Sequence, residues 1–256
     1  LTLPKNKVTS LGMGESTRID GDCITMVGSE VGQFYGYVYE GIFQSQDEID
    51  NRINEEGLHV NQNGAQPGDV AYKDVNNDGE ITADDRTVLG SGMSKFQFGL
   101  SFRLEYKGFD LNLLFQGVAG NDVFNASKFY FNKFDGSQNV FASSYMTGWD
   151  GKGSTNSVPI MLDGVSEKSR NENNWRQSTM YIEDGSYFRL KNIQLGYTFK
   201  PRIQSFTPSI RVYLAAQNLL TITKYSGVDP EIPDNGVDRG QYPQPRTFMV
   251  GANINF

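Results

Sequence analysis

The chain has 256 residues, a formal net charge of −7, 38% hydrophobic residues, one histidine and one cysteine. An acidic balance without clustered Lys and Arg excludes a nucleic-acid surface, and Cys23 alone excludes an internal disulfide framework or a Cys-based zinc site. Polar residues interrupt every apolar run short of the roughly 18 residues a spanning helix needs, which leaves open a strand-built membrane protein, whose strands show only alternate residues to lipid.

In chain order, Leu1-Thr2-Leu3-Pro4 has neither an initiator Met nor a leader pattern and reads either as a mature protein starting after processing or as a piece of something longer. Residues 1–10 make a partial span. A nucleophilic Cys23 would need a base, and His59 lies in a polar Gly/Asn-rich segment, so the chain reads as non-enzymatic. An aromatic-rich stretch at 33–43 reads as a further span.

The polar connection that follows, 44–95, contains Asp74-Val75-Asn76-Asn77-Asp78-Gly79-Glu80-Ile81-Thr82-Ala83-Asp84-Asp85. An EF-hand-type loop places oxygen ligands at positions one, three and five, Gly at six, a backbone carbonyl at seven and a carboxylate at twelve. Asp74, Asn76, Asp78, Glu80 through its carbonyl, and Asp85 occupy those places, so the expected cofactor is a structural Ca²⁺. Asp at twelve is shorter than the usual Glu, and no helical pattern clearly flanks the loop. An Asn/Asp-Gly turn solvated by water is the other reading.

From Phe96 the pattern becomes strictly alternating. Phe96, Phe98, Leu100, Phe102, Leu104 and Tyr106 share one face against Gln97, Gly99, Ser101, Arg103 and Glu105. Lys107-Gly108 makes a hairpin turn, and Phe109, Leu111, Leu113 and Phe115 resume the apolar face opposite Asp110, Asn112 and Gln116. The pattern returns at 193–199, 210–217 and 247–256, and the phase slips near Lys191, which predicts a bulge. Phe98, Leu100, Phe102, Val212, Leu214, Val250 and Ile254 are expected to face lipid, and Gln97, Arg103, Asn112, Gln194 and Asn253 a wet lumen, whose Gln, Asn, Gly and Ser content differs from a sandwich exterior.

Short connections at 107–108 and 200–207 fall on one side; long polar ones at 44–95, 119–182 and 221–245 fall on the other, as in outer-membrane barrels. With the spans at 1–10 and 33–43 this gives about seven strands. An open sheet in lipid would leave unpaired backbone groups at both edges, so the remaining strands must come from elsewhere. The last strand should pair with 210–220 on one side and another segment on the other. The fold class is all-β, a partial transmembrane antiparallel β-barrel. Acidic pairs such as Asp47-Glu48, Asp84-Asp85 and Glu183-Asp184 read as solvated loop residues rather than a glycosidase pair. Trp149, Trp175, Tyr130 and Tyr145 are available either for loop packing or for stacking on sugars.

Several ordered blocks carry a family resemblance: Gly36-Tyr37-Val38-Tyr39-Glu40-Gly41-Ile42-Phe43, the Asp-rich loop 74–86, Gly185-Ser186-Tyr187-Phe188-Arg189-Leu190-Lys191-Asn192-Ile193, Gln217-Asn218-Leu219, Tyr225-Ser226-Gly227-Val228-Asp229-Pro230-Glu231 and the terminal Phe256. Over residues 1–256 the chain resembles the carboxyl-terminal part of SusC/RagA-type TonB-dependent transporters. The resemblance implies an outer-membrane barrel of about 22 strands, with a plug domain and other strands outside this chain. It also implies energy from TonB, a SusD-like surface lipoprotein as a lid, and a glycan or peptide substrate. A lid contact at 225–231 is one implication, and loop fixing is the simpler one. A secreted β-sandwich carbohydrate-binding module with a structural calcium is the alternative from another class.

Overall fold

The computed structural model describes residues 1–12, 14–132, 139–162, 168–202, 207–233 and 235–255. The expectation for Phe256 therefore lies outside the described residues. The first strands are short: β1 (Thr17–Asp20), β2 (Cys23–Met26), β3 (Gln33–Gly36), β4 (Tyr39–Ile42), β5 (Val70–Tyr72) and β6 (Thr87–Gly90). Two long strands follow, β7 (Phe96–Tyr106) and β8 (Phe109–Ala119), then the short β9 (Asp122–Asn125) and β10 (Ile182–Asp184). The chain ends with β11 (Tyr187–Phe199), β12 (Ser209–Thr223), the two-residue β13 (Val237–Asp238) and β14 (Thr247–Asn255). Helices α1 (Gln46–Asp50), α2 (Ala126–Phe131), α3 (Ala142–Thr147) and α4 (Lys168–Asn174) lie in the long connections. No described helix is long and apolar enough to cross a membrane.

The long strands form one antiparallel sheet in the order β14-β12-β11-β8-β7. Chain order is spatial order throughout, as hairpin and meander connections require. The β7–β8 turn is tight because Lys107 and Gly108 both adopt positive φ, 45° and 87°, the combination a two-residue hairpin turn needs to match strand twist. The phase slip near Lys191 is a register shift between Leu190 and Asn192 against both neighbouring strands.

One face of this sheet is bare. Leu100, Phe102, Val212 and Ile254 are exposed, Leu214 is 58% exposed and Val250 83%. A sandwich would bury these side chains against a second sheet about 10 Å away; among the described residues no such sheet covers them, and the sandwich alternative fails on that point.

The barrel-type sheet contains five of the about seven expected spans. Residues 1–10 contribute only an isolated antiparallel bridge, Thr2 to Gln97, on the free edge of β7. The stretch at 33–43 departs from the wall altogether. It breaks after Gly36, where the Tyr37 N–H turns to the Gln177 carbonyl at 2.9 Å, and Gly41 has φ 149°. Its β3 joins the sheet β1-β2-β3-β6 and its β4 pairs with β5, and Phe34, Ile42 and Phe43 are buried. Alternating aromatics serve a buried core here, a use that periodicity alone does not separate from a lipid face.

All three long connections lie at one end of the sheet and fold into a cap with two cores. Phe34, Phe124, Ala126, Tyr181 and Val237 form one, and Val60, Val70, Tyr72 and Ile81 the other. β13 pairs with β9 in parallel, joining the 221–245 connection to the 119–182 connection. Among the described residues β14 pairs only with β12, at the opposite edge of the sheet from Thr2. The terminal strand thus does not close on residues 1–10.

Candidate functional site

The site to be weighed is the wall together with the cap that sits at its loop end. Register across the wall fixes which residues share a face. Arg103 lies opposite Asn112, Asn112 opposite Gln194, and Gln97 opposite Val118 three pairs further up the same face. Asn253 lies opposite Arg211. The residues expected in the lumen therefore stand on one polar face, and those expected toward lipid on the other.

The apolar face carries aromatics in two bands. Near the turn end Phe109 packs on Tyr197 at 4.6 Å, with Phe199 beyond it at 6.3 Å from Tyr197. Near the loop end Phe188 stacks on Phe115 at 5.4 Å and on Phe98 at 6.1 Å. Leu100, Leu113, Leu195 and Leu214 lie between, with a single aromatic, Phe102, that meets Phe115 edge-on at 6.2 Å. Along β7, Phe98 and Tyr106 are separated by roughly 26 Å at about 3.3 Å per residue, comparable with the band of about 25 Å that aromatic girdles flank on outer-membrane barrels.

The polar face holds an ion pair that the sequence did not announce. Arg211 of β12 reaches across β11 to Asp110 of β8 with two donor contacts, Nε to Oδ2 at 2.8 Å and Nη2 to Oδ1 at 2.5 Å. It crosses above Gly196, where a Cβ would run into both side chains. Any larger residue at 196 would stand where the pair passes. The two partners are 101 residues apart, and only the strand register brings them together.

At the loop end the cap is fastened to the wall by Arg189, which is 2% exposed. Its Nε donates to Thr221 Oγ1 at 2.9 Å, Nη2 to Asp229 Oδ1 at 2.6 Å and Nη1 to Glu231 Oε2 at 2.6 Å. The neighbouring bulge lets Lys191 Nζ reach Glu231 as well, at 3.0 Å. Asp229 also accepts from the Gln244 and Glu231 N–H groups at 2.9 Å each. Burial pushes its carboxyl up, but these donors and Arg189 outweigh burial and hold it below the usual carboxylate range. Ser226 adds two bonds to Glu183, through its N–H and its hydroxyl, both at 2.8 Å. The segment 225–231 is thus a loop fixed to the wall, in line with the simpler of its two readings.

The Asp-rich loop is ordered by its own backbone. Asp74 Oδ2 accepts from Gly79 N–H and from Asn54 Nδ2, both at 2.9 Å, and Gly79 has φ 86°. Asn76 Oδ1 accepts from Asp78 N–H at 3.0 Å, and Asp78 Oδ1 from Glu80 N–H at 2.8 Å. Asp85 is fully buried and accepts from Val75 N–H at 2.8 Å and Thr82 N–H at 2.7 Å, closing a capping box on the 3-10 turn Ala83–Asp85. Among the described residues no three His, Cys, Asp or Glu side chains converge as a metal-ligand group. Asp74, 4% exposed, nevertheless keeps Oδ1 buried without a donor, and one such oxygen is what a cation would satisfy.

The remaining candidates have structural work. Glu48 Oε2 accepts from Gln44 N–H at 2.6 Å, and Asp184 Oδ1 from Ser186 N–H at 2.9 Å. Trp175 stacks on Phe129 at 4.4 Å and donates to its carbonyl, while Trp149 donates to Gln44 Oε1 at 3.1 Å. Both tryptophans pack loops. His59 lies in an antiparallel bridge with Ile53, and burial, the largest influence on the Cys23 thiol, pushes it up, away from a nucleophilic thiolate.

Comparison with known proteins places these features in a family. No family model matches the chain. It is 32% identical, over 98% of its own length, to TonB-dependent receptor P3 of Formosa agariphila, and 32% identical over 100% to TonB-dependent receptor P26 of the same organism. It spans 26% and 27% of those two proteins. TonB-dependent receptor SusC of Bacteroides thetaiotaomicron is 28% identical over 76% of this chain, which covers 18% of SusC. Solved structures of the RagAB peptide importer in its closed-closed state and of the RagAB peptide transporter superpose on 98% of the chain with TM-scores of 0.71 and 0.72 at 24% and 23% identity, a likeness of fold covering 26% of each of those chains. The chain belongs to the SusC/RagA-type TonB-dependent receptors and carries a portion of their β-barrel wall.

Proposed function

We propose that this chain is part of a bacterial outer-membrane importer of oligosaccharides or peptides, driven through TonB and performing transport rather than catalysis. The observation that carries the reading is the 32% identity to a TonB-dependent receptor along nearly the whole chain. The bare apolar face suits lipid and the polar face a wet interior. The rest of the transporter supplies the plug and the other strands, and a SusD-like surface lipoprotein covers the mouth. The structural neighbour described as a peptide importer supports peptide as one class of cargo. Uptake of labelled oligosaccharides or peptides by cells carrying the full-length protein should stop when TonB is deleted. Uptake that persists at the same rate overturns the proposal.

A second proposal concerns the Asp-rich loop. Asp74 through its free Oδ1, the Asn76 and Asp78 side chains, the Glu80 carbonyl and Asp85 would hold Ca²⁺, which supplies a charge that ties the loop ends together. Calorimetric titration of the full-length protein with Ca²⁺ after chelation should show one site lost in Asp74→Asn. Binding unchanged by that substitution, or no binding, overturns it.

A further inference from the structure

Two of the long connections enclose a cleft of about 560 Å³ at the loop end of the sheet. One wall comes from α2 and α3, with Ser127, Ser143 and Thr147; the other comes from the 221–245 connection, with Ser226 and Val228. Phe141, half exposed and packed on Phe131 at 4.9 Å, also lines it. Both walls are held independently of any ligand. Asn125 caps α2 by accepting from Lys128 N–H at 2.8 Å, and the opposite connection is fixed through Glu183 and Arg189 as described above.

The cleft's lining is more apolar than polar, and its charges are spent internally. Lys128 faces Glu183 at 3.5 Å. Asp238 accepts from Tyr225 Oη at 2.5 Å, from Gly240 N–H at 2.8 Å and from Gln241 N–H at 3.2 Å. The Ser127 and Ser143 hydroxyls, in contrast, make no hydrogen bond to a described residue. Resting on the import reading above, we propose that this cleft takes a neutral oligosaccharide segment. A hydroxyl both donates and accepts, so the Ser127 and Ser143 pair matches sugar hydroxyls in either role. Phe141 and Val228 offer apolar surface to the C–H face of a ring, the mixture of apolar lining and few placed polar groups that ligand clefts show. A charged peptide side chain entering here would lose water without finding a free counter-charge, which is costly.

The test uses the full-length transporter in detergent, titrated calorimetrically with neutral linear glucans, xylans and mannans and, separately, with a mixed peptide library. At least one glycan should bind, and Ser143→Trp, which fills the cleft from an exposed helix position, should weaken it about tenfold or more. Phe141→Ala should weaken the same glycan by a smaller factor and guards against a folding defect in the first variant. Failure of every glycan to bind, glycan affinity unmoved by both variants, or Ser143→Trp-sensitive binding of peptides alone overturns the proposal. The TonB-deletion assay reads import separately, so cleft binding that survives there with TonB-independent uptake would sink the import reading and leave the cleft in place.

Discussion

Wall and cap use the same residue types in opposite ways. Phe248, Val250 and Leu104 on the wall are largely exposed, whereas Phe34, Val70 and Tyr72 in the cap are fully buried. The wall is built for a solvent that is itself apolar: its ladders satisfy the backbone between paired strands, and none of the described residues covers its outer face. The cap is built for water and hides its aromatics in two small cores, each worth stabilisation of the order of 25 cal/mol per Å² of apolar area removed from water. The difference teaches that a run of aromatics identifies a buried or a lipid-facing surface only once the ladder to which it belongs is known.

The sharpest way to break the comparison is at its junction. Arg189 stands on the wall, but its partners Asp229 and Glu231 belong to the cap. Arg189→Ala leaves Asp229 buried without its counter-charge, a loss of about 3–5 kcal/mol for such a deletion. Hydrogen exchange should then rise across 221–245 while β7 and β8 stay protected; equal loss in both regions would show that wall and cap do not separate. Acid acts in the same place. The Asp229 carboxyl is depressed in the folded protein, so its contribution is complete above the unfolded value of 3.8 and is lost as pH falls through the lower folded value. Exchange in 221–245 should accordingly rise as pH falls below about 4, and Glu183, which burial pushes up but the Ser226 bonds hold below its ordinary value, acts in the same direction.

A charge on the lipid face is the next largest perturbation. Leu214→Arg near the middle of β12 should destabilise the folded barrel in a bilayer by about 2–4 kcal/mol, while Gln194→Arg on the polar face should cost little. Unfolding in denaturant with the full-length protein in lipid vesicles reads both. Equal costs would mean that the two faces do not meet different solvents.

The wall was legible in the sequence and the cap was not, for physical reasons. From Phe96 to Phe115 and again in the last three long strands, a period of two meets a solvent boundary on each side, so the pattern is written at every residue. Even the bulge showed, as Phe188 and Leu190 fall out of phase with Ile193. The cap strands are two to four residues long and are completed by distant side chains. Gln62 bonds both Val70 C=O at 2.6 Å and Tyr72 N–H at 3.1 Å, as a neighbouring strand would. Asn174 accepts from Val70 N–H at 2.8 Å from 104 residues away. No local pattern announces such partners. The site followed the same rule: the Asp-rich loop and the 225–231 block were visible as motifs, while the Asp110–Arg211 pair and the cleft exist only through long-range register and loop packing.

The smallest effects come from two glycines that sharpen the contrast between the regions. In the cap, a Cβ on Gly36 would run into the backbone carbonyl of Gln177, and the bond from Tyr37 N–H to that same carbonyl prevents the segment from retreating. Gly36→Ala therefore forces backbone movement, an overpacking cost of about 1–3 kcal/mol. In the wall, a Cβ on Gly196 would meet only the tips of Asp110 and Arg211. Those tips can swing aside into the wet interior, and an ion pair that retains access to water is worth about 0–1 kcal/mol. Gly196→Ala should thus shift stability by less than about 1 kcal/mol, helped by the better strand behaviour of Ala over Gly. Paired denaturation curves for the two variants decide the matter, and a Gly196→Ala cost equal to that of Gly36→Ala would show that the Asp110–Arg211 pair is rigidly held and not a movable fitting of the polar face.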